Sequence, residues 1–397
     1  MGRKFTILGE QHSGKTCYLM ALFRAMAGNG IEGYTITTQE VSDHNKLLIG
    51  CENLINRSLP QDERFPTASL VPEPYHFNLC FKHENIMPFD WLDYPGGYLL
   101  KKADITEEKY NEFTKNIQES STLFICVDGE LLSGENDTIE DKIDKLFPLS
   151  TKVNVYFNAY ISSGKKMPPV AFIVTKYDLC SKAKITDDQG NERAMTKDDL
   201  KKILSESFTA FFTSSSNKVG IIPVTLGKKI SDNNYQGRFA PQDVHLPIFM
   251  GIYFALRDQI KADRDNADKI HDKESDTDFL RRKIVEAQRE LLNLQNEIAS
   301  MRKRKLKEED KFFLFRDDAL IASLRTKIAV AEREVERLED KIDEMQRKIR
   351  ANGAEIEQTK KLISSARPSG VNFAKYLDEI EWFSQGKWQD GFGGLIE

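Results

Sequence analysis

The chain predicts an α/β domain built on a mostly parallel sheet, then an antiparallel α-helical coiled-coil hairpin, then a short C-terminal tail packing back on the α/β domain. Three observations predict it. Short β-branched and aromatic runs alternate with helical stretches over the first 260 or so positions. From about Lys273 the apolar residues settle into heptads, and beyond Arg367-Pro368-Ser369-Gly370 the chain turns aromatic-rich. The expected units are residues 1–260, 261–366 and 367–397.

The strand candidates are Lys4–Leu8, Tyr34–Thr38, Tyr75–Phe81, Met87–Leu92, Thr122–Val127, Val170–Val174 and Gly220–Val224. Runs of this kind, bounded by Gly, Pro or polar turns, read as buried strands. Helical stretches between them imply right-handed crossovers, hence largely parallel pairing. The polar segment Ser181–Asp199 reads as a surface insertion.

Further on, Leu280, Ile284, Ala287, Leu291, Leu294, Ile298 and Met301 follow an unbroken 4-3-4-3-4-3 spacing. A second seam runs through Ile321, Leu324, Ile328, Ala331, Val335, Leu338, Ile342, Met345 and Ile349, then Asn352, Ile356, Thr359 and Ile363. Such heptads, with charged residues between them, specify a coiled coil. The second helix alone would extend ~65 Å at about 1.5 Å per residue. The two seams are out of phase across residues 302–319. Either a hairpin centred near Phe313 or a single dimeric rod with a stutter meets that break. The hairpin is the expectation, because Leu256–Ile270 supplies apolar residues for its far end. The tail, with Phe373, Tyr376, Trp382, Phe383, Trp388 and Phe392, is expected to dock on a folded surface; contact with a partner is the alternative.

Composition bounds the function classes. A chain of 397 residues exceeds one typical core. A formal net charge of −5 argues against bulk nucleic-acid binding. Five scattered cysteines lack metal-type pairing and suit a reducing cytoplasm. No apolar run reaches the roughly 18 residues of a membrane span, and a first strand at Lys4 leaves no room for a signal peptide. A cytoplasmic protein is expected, with peripheral membrane association open.

Three motifs carry the chemistry. The loop Gly9-Glu10-Gln11-His12-Ser13-Gly14-Lys15-Thr16 lies between a predicted strand and an apolar helix, the context of a phosphate-binding loop. Its backbone N–H groups would point at phosphates, aided by the helix dipole continuing through Cys17. Lys15 would reach the β/γ-phosphates, and the Thr16 hydroxyl would ligate Mg²⁺. The second motif is Asp93-Tyr94-Pro95-Gly96, ending a strand. Its carboxylate can hold an Mg²⁺-bound water, and the Gly96 N–H can meet the γ-phosphate, which makes the loop a switch. The third is Thr175-Lys176-Tyr177-Asp178. Asp178 can accept from the N1–H and exocyclic amine of guanine, whereas adenine offers no such donor pair, and the Lys176 stem can pack across the purine. Thr225 and Leu226, in Val224-Thr225-Leu226-Gly227, are candidates for a backbone clamp on the base. Together these motifs call for GTP/GDP and Mg²⁺.

On these residues the chain resembles the P-loop GTPases of the translation-factor-related class, and within it the dynamin-like superfamily. That family typically carries a phosphate-loop glutamine, here Gln11, followed by Asp-x-Pro-Gly and Thr-Lys-x-Asp, matched by Asp93–Gly96 and Thr175–Asp178. The resemblance implies a P-loop GTPase domain, a helical stalk, self-association, and a role for Gln11 in positioning the attacking water. Here the chain starts directly with the strand and offers a single hairpin, where dynamin-like proteins have a preceding helix and longer stalks. Bacterial GTPases of the same class carry a similar motif set. The position after Asp-x-x-Gly is Gly97 where small GTPases have glutamine, so turnover rests on Gln11 or a partner. Thr67 is the candidate switch threonine and Mg²⁺ ligand. Arg64 precedes it as Arg-x-x-Thr does in heterotrimeric G-protein α subunits, which makes it a candidate internal finger against the alternative of an ordinary surface arginine.

The seam break reads Arg302-Lys303-Arg304-Lys305-Leu306-Lys307, then Phe312, Phe313, Leu314 and Phe315. Basic residues beside an apolar cluster suit an anionic membrane surface. Sealing of the hairpin turn and docking of a protein partner are the alternatives. The expected activity is a Mg²⁺-dependent GTPase whose nucleotide state controls the coiled coil. It acts either as a self-assembling mechanoenzyme at membranes or as a GTP-regulated switch on a protein partner. A coiled-coil ATPase of the chromosome-maintenance type is disfavoured by Thr175–Asp178 and by the absence of a Leu-Ser-Gly-Gly-type signature after the coiled coil.

Overall fold

The computed structural model describes all residues except 1–2, 29, 68–70, 101–104, 188, 215, 228–229, 231–237, 312–316, 365–373, 390 and 392–397. The chain divides into two compact units, residues 1–257 with 368–397, and residues 258–367.

The first unit is organised by a nine-stranded sheet. Its strands are β1 (Arg3–Gly9), β2 (Tyr34–Thr38), β3 (Glu73–Phe81), β4 (Glu84–Asp93), β5 (Ser120–Asp128), β6 (Val170–Thr175), β9 (Val219–Pro223), β10 (Glu381–Ser384) and β11 (Lys387–Gln389). A separate two-stranded ribbon joins β7 (Lys184–Thr186) to β8 (Glu192–Ala194). The sheet order is β11-β10-β9-β6-β5-β1-β4-β3-β2. Its five central strands, β9 to β4 in that order, pair in parallel. Antiparallel strands flank them: β3 and β2 on one side, β10 and β11 on the other. The expected mostly parallel sheet is thus confined to the centre; two of the antiparallel pairs, β3 with β4 and β10 with β11, are joined by tight turns at Lys82-His83 and Gln385-Gly386 without a crossover helix.

Alternation on the central strands builds the layers. On β5, Phe124 and Cys126 enter one core while Leu123, Ile125 and Val127 enter the other. On β6, Ala171 and Ile173 oppose Val170, Phe172 and Val174 in the same way. Strands buried on both faces need helices on both, which is why these runs are continuously apolar. The helices Lys15–Met26 and Val41–Ile55 and the start of Leu246–Glu309 supply one layer. Glu107–Glu119, Ile139–Ser162 and Lys197–Ser207 supply the other.

The aromatic tail adds its strands to the sheet. Glu381 pairs with Ile221 and Phe383 with Val219, so β10 covers the edge that β9 would otherwise expose. Trp382 is fully buried and donates its indole N–H to the Leu377 carbonyl at 2.7 Å. Of the other tail aromatics, Phe373 and Phe392 lie outside the described residues.

The segment Ser181–Asp199 is not wholly a surface insertion. Ala183 and Ile185 are buried, and Asp199 closes a capping box with Thr196 that starts the helix Lys197–Ser207.

The second unit is an antiparallel helical hairpin, not a rod. Its helices belong to Leu246–Glu309 and Asp318–Ser364. Glu309 receives Arg325 at 2.9 Å, Arg302 meets Glu332 at 2.5 Å, and Lys273 pairs with Glu355. Numbers that rise on one helix fall on the other, as antiparallel pairing demands. Both seams face each other: Ala287 packs with Leu338, Ile342 and Met345, and Ile298 with Ile328 and Ala331. Asn352 falls on the seam and donates to the Thr277 hydroxyl at 3.4 Å. The Asp317 carboxylate accepts from Leu320 N–H at 2.9 Å and starts the return helix. The tip residues Phe312, Phe313, Leu314 and Phe315 lie outside the described residues. Among the described residues no helix is long and apolar enough to cross a membrane.

Candidate functional site

Parallel pairing brings the C-terminal ends of β1, β4, β5, β6 and β9 to one edge of the sheet, where open α/β sheets place their ligands. Register aligns them: Ile7 with Asp93, Gly9 with Cys126, Asp128 with Thr175, and Val174 with Pro223. A cavity of ≈ 1470 Å³ opens at this edge.

The loop after β1 enters the helix Lys15–Met26 through Gly14, whose φ of 90° lies in the left-handed region that glycine adopts freely. Lys15 Nζ donates to the carbonyls of Gly9 at 3.0 Å and Glu10 at 2.9 Å, so its ammonium arches over its own loop. Thr16 donates its hydroxyl to Asp93 Oδ2 at 3.2 Å. Burial holds the Asp93 carboxyl above its ordinary value, against the opposing pull of Lys15 and the Thr16 hydrogen bond. Ser13 is buried, and its hydroxyl oxygen has no hydrogen-bond partner among the described residues. Its carbonyl accepts from Thr175 Oγ1 at 2.7 Å and from the Cys126 thiol at 3.1 Å. Burial pushes the Cys17 thiol up to about 12, so at neutral pH it is a protonated wall of the cavity.

The third motif sits at the end of β6. Thr175 ends the strand, and Lys176 adopts a left-handed conformation with φ of 49°. Lys176 Nζ donates to Asp128 at 2.8 Å and to Glu130 at 2.7 Å. Partial burial pulls this ammonium down, and the two carboxylates outweigh it and raise it. Gly129 permits the arrangement, since a Cβ there would stand 2.3 Å from the Thr175 carbonyl oxygen. Asp178 Oδ1 accepts from Thr225 Oγ1 at 3.2 Å, and Thr225 Oγ1 accepts in turn from Gly227 N–H at 3.1 Å.

Most sequence-designated residues therefore meet at one cavity. Glu10, Gln11, His12, Gly14, Lys15, Thr16, Cys17, Thr67, Asp93, Thr175, Lys176, Asp178 and Leu226 all line it. Gly9 contributes its carbonyl beneath the loop, and Ser13 faces a small pocket of ≈ 190 Å³ behind it. Gly96 opens the 3-10 turn Gly96–Leu100. Arg64 departs from the surface-arginine alternative. It is not a surface arginine, being 2% exposed, and its guanidinium donates to the Ile230 carbonyl at 2.8 Å. Among the described lining residues Arg64 is absent, although Gln61, Phe65 and Pro66 around it are present.

Sequence reading missed Asp128, Glu130 and Lys152. The first two were detectable, because Asp128 ends a parallel strand at the ligand edge and Glu130 follows in the turn Gly129–Leu132. Lys152 gives no such signal: it lies mid-helix and meets Glu10 142 positions away.

Neither a protein-family model nor a curated protein matches the chain. Among solved structures it is similar to the signal recognition particle receptor SRb-GTP/SRX complex from Chaetomium thermophilum, with a TM-score of 0.31 and 13% identity. That likeness covers 57% of this chain and 91% of the other. At this TM-score and identity it carries no argument.

Proposed function

We infer that the cavity binds a guanine nucleotide with Mg²⁺ and that the chain hydrolyses GTP. The observation that carries this reading is the convergence of Lys15 and Thr16, Asp93, and Lys176 with Asp178 on one cavity at the carboxyl edge of a parallel sheet.

The residues fit the ligands. Among the described residues the Lys15 ammonium hydrogen-bonds to carbonyls of its own loop, so phosphate oxygens would replace them as acceptors. Thr16 and Asp93 set a hydroxyl and a carboxylate side by side, an oxygen donor set of the kind Mg²⁺ takes. When bound, Mg²⁺ would neutralise charge on the phosphate oxygens. Thr225 orients the Asp178 carboxylate, which would accept from the guanine edge. Asp128 and Glu130 hold the Lys176 ammonium so that its stem can lie against the base. Gln11 at the exposed rim is the candidate for positioning water, and Thr67 for completing the Mg²⁺ shell. Arg64, engaged with the Ile230 carbonyl, braces the wall in this reading.

Two finer readings follow. A dynamin-like mechanoenzyme, self-assembling at a membrane, is supported by the motif set and the hairpin. A GTP-regulated switch acting on a protein partner is favoured by a specific contact. Tyr18, two residues beyond Thr16, donates its hydroxyl to the Val244 carbonyl at 2.9 Å, immediately before the helix Leu246–Glu309 that continues into the hairpin.

The test is titration of wild type with labelled GTP, GDP and ATP in Mg²⁺, beside Lys15→Ala and Asp178→Asn. Loss of binding in Lys15→Ala, and a shift of Asp178→Asn from GTP toward xanthosine triphosphate, are expected. Preference of the wild type for ATP would sink the reading. GTP turnover with and without anionic liposomes then separates the two finer readings, stimulation favouring the mechanoenzyme.

A further inference from the structure

We propose that Lys152 is a second cation of the phosphate site, held in waiting by Glu10, and that it recognises the terminal phosphate of a nucleoside triphosphate. The inference rests on the reading of this cavity as a nucleotide site.

Glu10 is the second residue of the phosphate loop and lines the cavity with Lys15. A carboxylate there opposes a polyanion, since like charges in a partly desolvated cleft disfavour one another. In this structure it is ion-paired by the Lys152 ammonium, which reaches across from the helix Ile139–Ser162. The helix's other lysines, Lys142 and Lys145, are engaged by Asp137, and Lys152 is the one of the three that lines the cavity.

Among the described residues Glu10 is the ionic partner of Lys152. Their side chains are 21% exposed for Lys152 and 33% for Glu10. A partly solvated pair of this kind contributes little to stability and exchanges partners readily. Glu10 adjoins Gln11, the candidate for positioning the attacking water, so the ammonium is assigned to the terminal phosphate, whose oxygens would compete with a single carboxylate oxygen for it and which a diphosphate lacks. Lys152 therefore discriminates triphosphate from diphosphate, and Glu10 keeps it at the loop between ligands.

The experiment is calorimetric titration of the full chain with GDP and with a non-hydrolysable GTP analogue, in Mg²⁺, for wild type, Lys152→Met, Lys152→Arg, Glu10→Gln and the Lys152→Met/Glu10→Gln double variant. Lys152→Met is expected to bind the analogue at least about tenfold more weakly, or about 1.4 kcal/mol, with GDP changed less than about twofold; Lys152→Arg retains the preference. Unchanged binding of both nucleotides overturns the proposal. So does an equal loss for both that the double variant restores, because Lys152 would then only neutralise Glu10. Should Lys152→Met fail to fold by thermal melting, Glu10→Gln decides: freed of its anchor, Lys152 keeps or strengthens the triphosphate preference, and loss of that preference overturns the idea. A wild type that binds neither nucleotide would instead remove the reading of the cavity itself.

Discussion

The buried Thr175 hydroxyl donates to the Ser13 carbonyl at 2.7 Å, tying the end of β6 to the phosphate loop 162 positions away. The same hydroxyl reaches the Val127 carbonyl at 3.2 Å, so one side chain ties two strand ends to the phosphate loop. Thr175→Val keeps the shape and removes the donor. Leaving a buried carbonyl short of a partner costs about 1–3 kcal/mol. Urea unfolding should show a loss in that range, and nucleotide affinity should fall with it; Thr175→Ser should restore both. Unchanged stability in the valine variant would mean the stitch is incidental.

Tyr18→Phe probes the route from the phosphate loop to the hairpin helix. The Tyr18 ring is buried against Trp91 at 5.8 Å between centroids, so removal of the hydroxyl spares the packing. Nucleotide affinity should stay within about threefold, and stability should fall by no more than the roughly 0.5–1.5 kcal/mol of a net hydrogen bond. GTP-dependent change in hydrogen exchange across the first turns of Leu246–Glu309 should be reduced. A full wild-type response in this variant would exclude the Tyr18–Val244 contact as the link.

Asp199 sets an acid limb. The Arg193 fork reaches both carboxylate oxygens, at 2.6 and 2.7 Å, and Thr196 N–H adds a third bond at 2.8 Å. The Arg193 hydrogen bonds, chiefly, and the Thr196 bonds, against opposing burial, hold the carboxyl well below the usual aspartate range. A carboxyl with a depressed folded value stabilises fully above its unfolded value of about 3.9 and loses that contribution as pH falls below it. Asp199→Asn should be less stable at neutral pH, and its stability should fall less steeply between about pH 4 and 2. Parallel acid limbs for variant and wild type would contradict this.

Leu338→Ala addresses the hairpin. Leu338 is buried on the seam with Ala287, Ile342 and Met345. Truncating a buried leucine costs about 2–5 kcal/mol. Limited proteolysis should therefore open the hairpin at lower protease concentration, with cavity ligand affinity unchanged. A variant as resistant as wild type would mean that the seam is not what holds the helices.

Several parts of this molecule were legible from one dimension. All seven strands expected from apolar runs exist, with ends that coincide or shift by up to three residues, because β-branched and aromatic residues between turn formers leave little alternative. The three motifs were legible because each is local: a glycine where φ must be positive, a lysine and hydroxyl at a helix start, a carboxylate at a strand end. The seam heptads were equally plain, yet their spacing suits a rod as well as a hairpin.

What the sequence by itself determined is the set of elements and the chemistry of each short motif, since both depend on neighbours a few residues apart. The tertiary structure alone decided the pairing: the hairpin over the rod, β10 on the edge of β9, Arg64 turned to the Ile230 carbonyl, Lys176 between Asp128 and Glu130, and Lys152 on Glu10. The physical reason is that such contacts join charges and strand edges tens to hundreds of residues apart. Nothing in the local pattern of a mid-helix lysine or a strand-end carboxylate says which partner the fold will bring within reach.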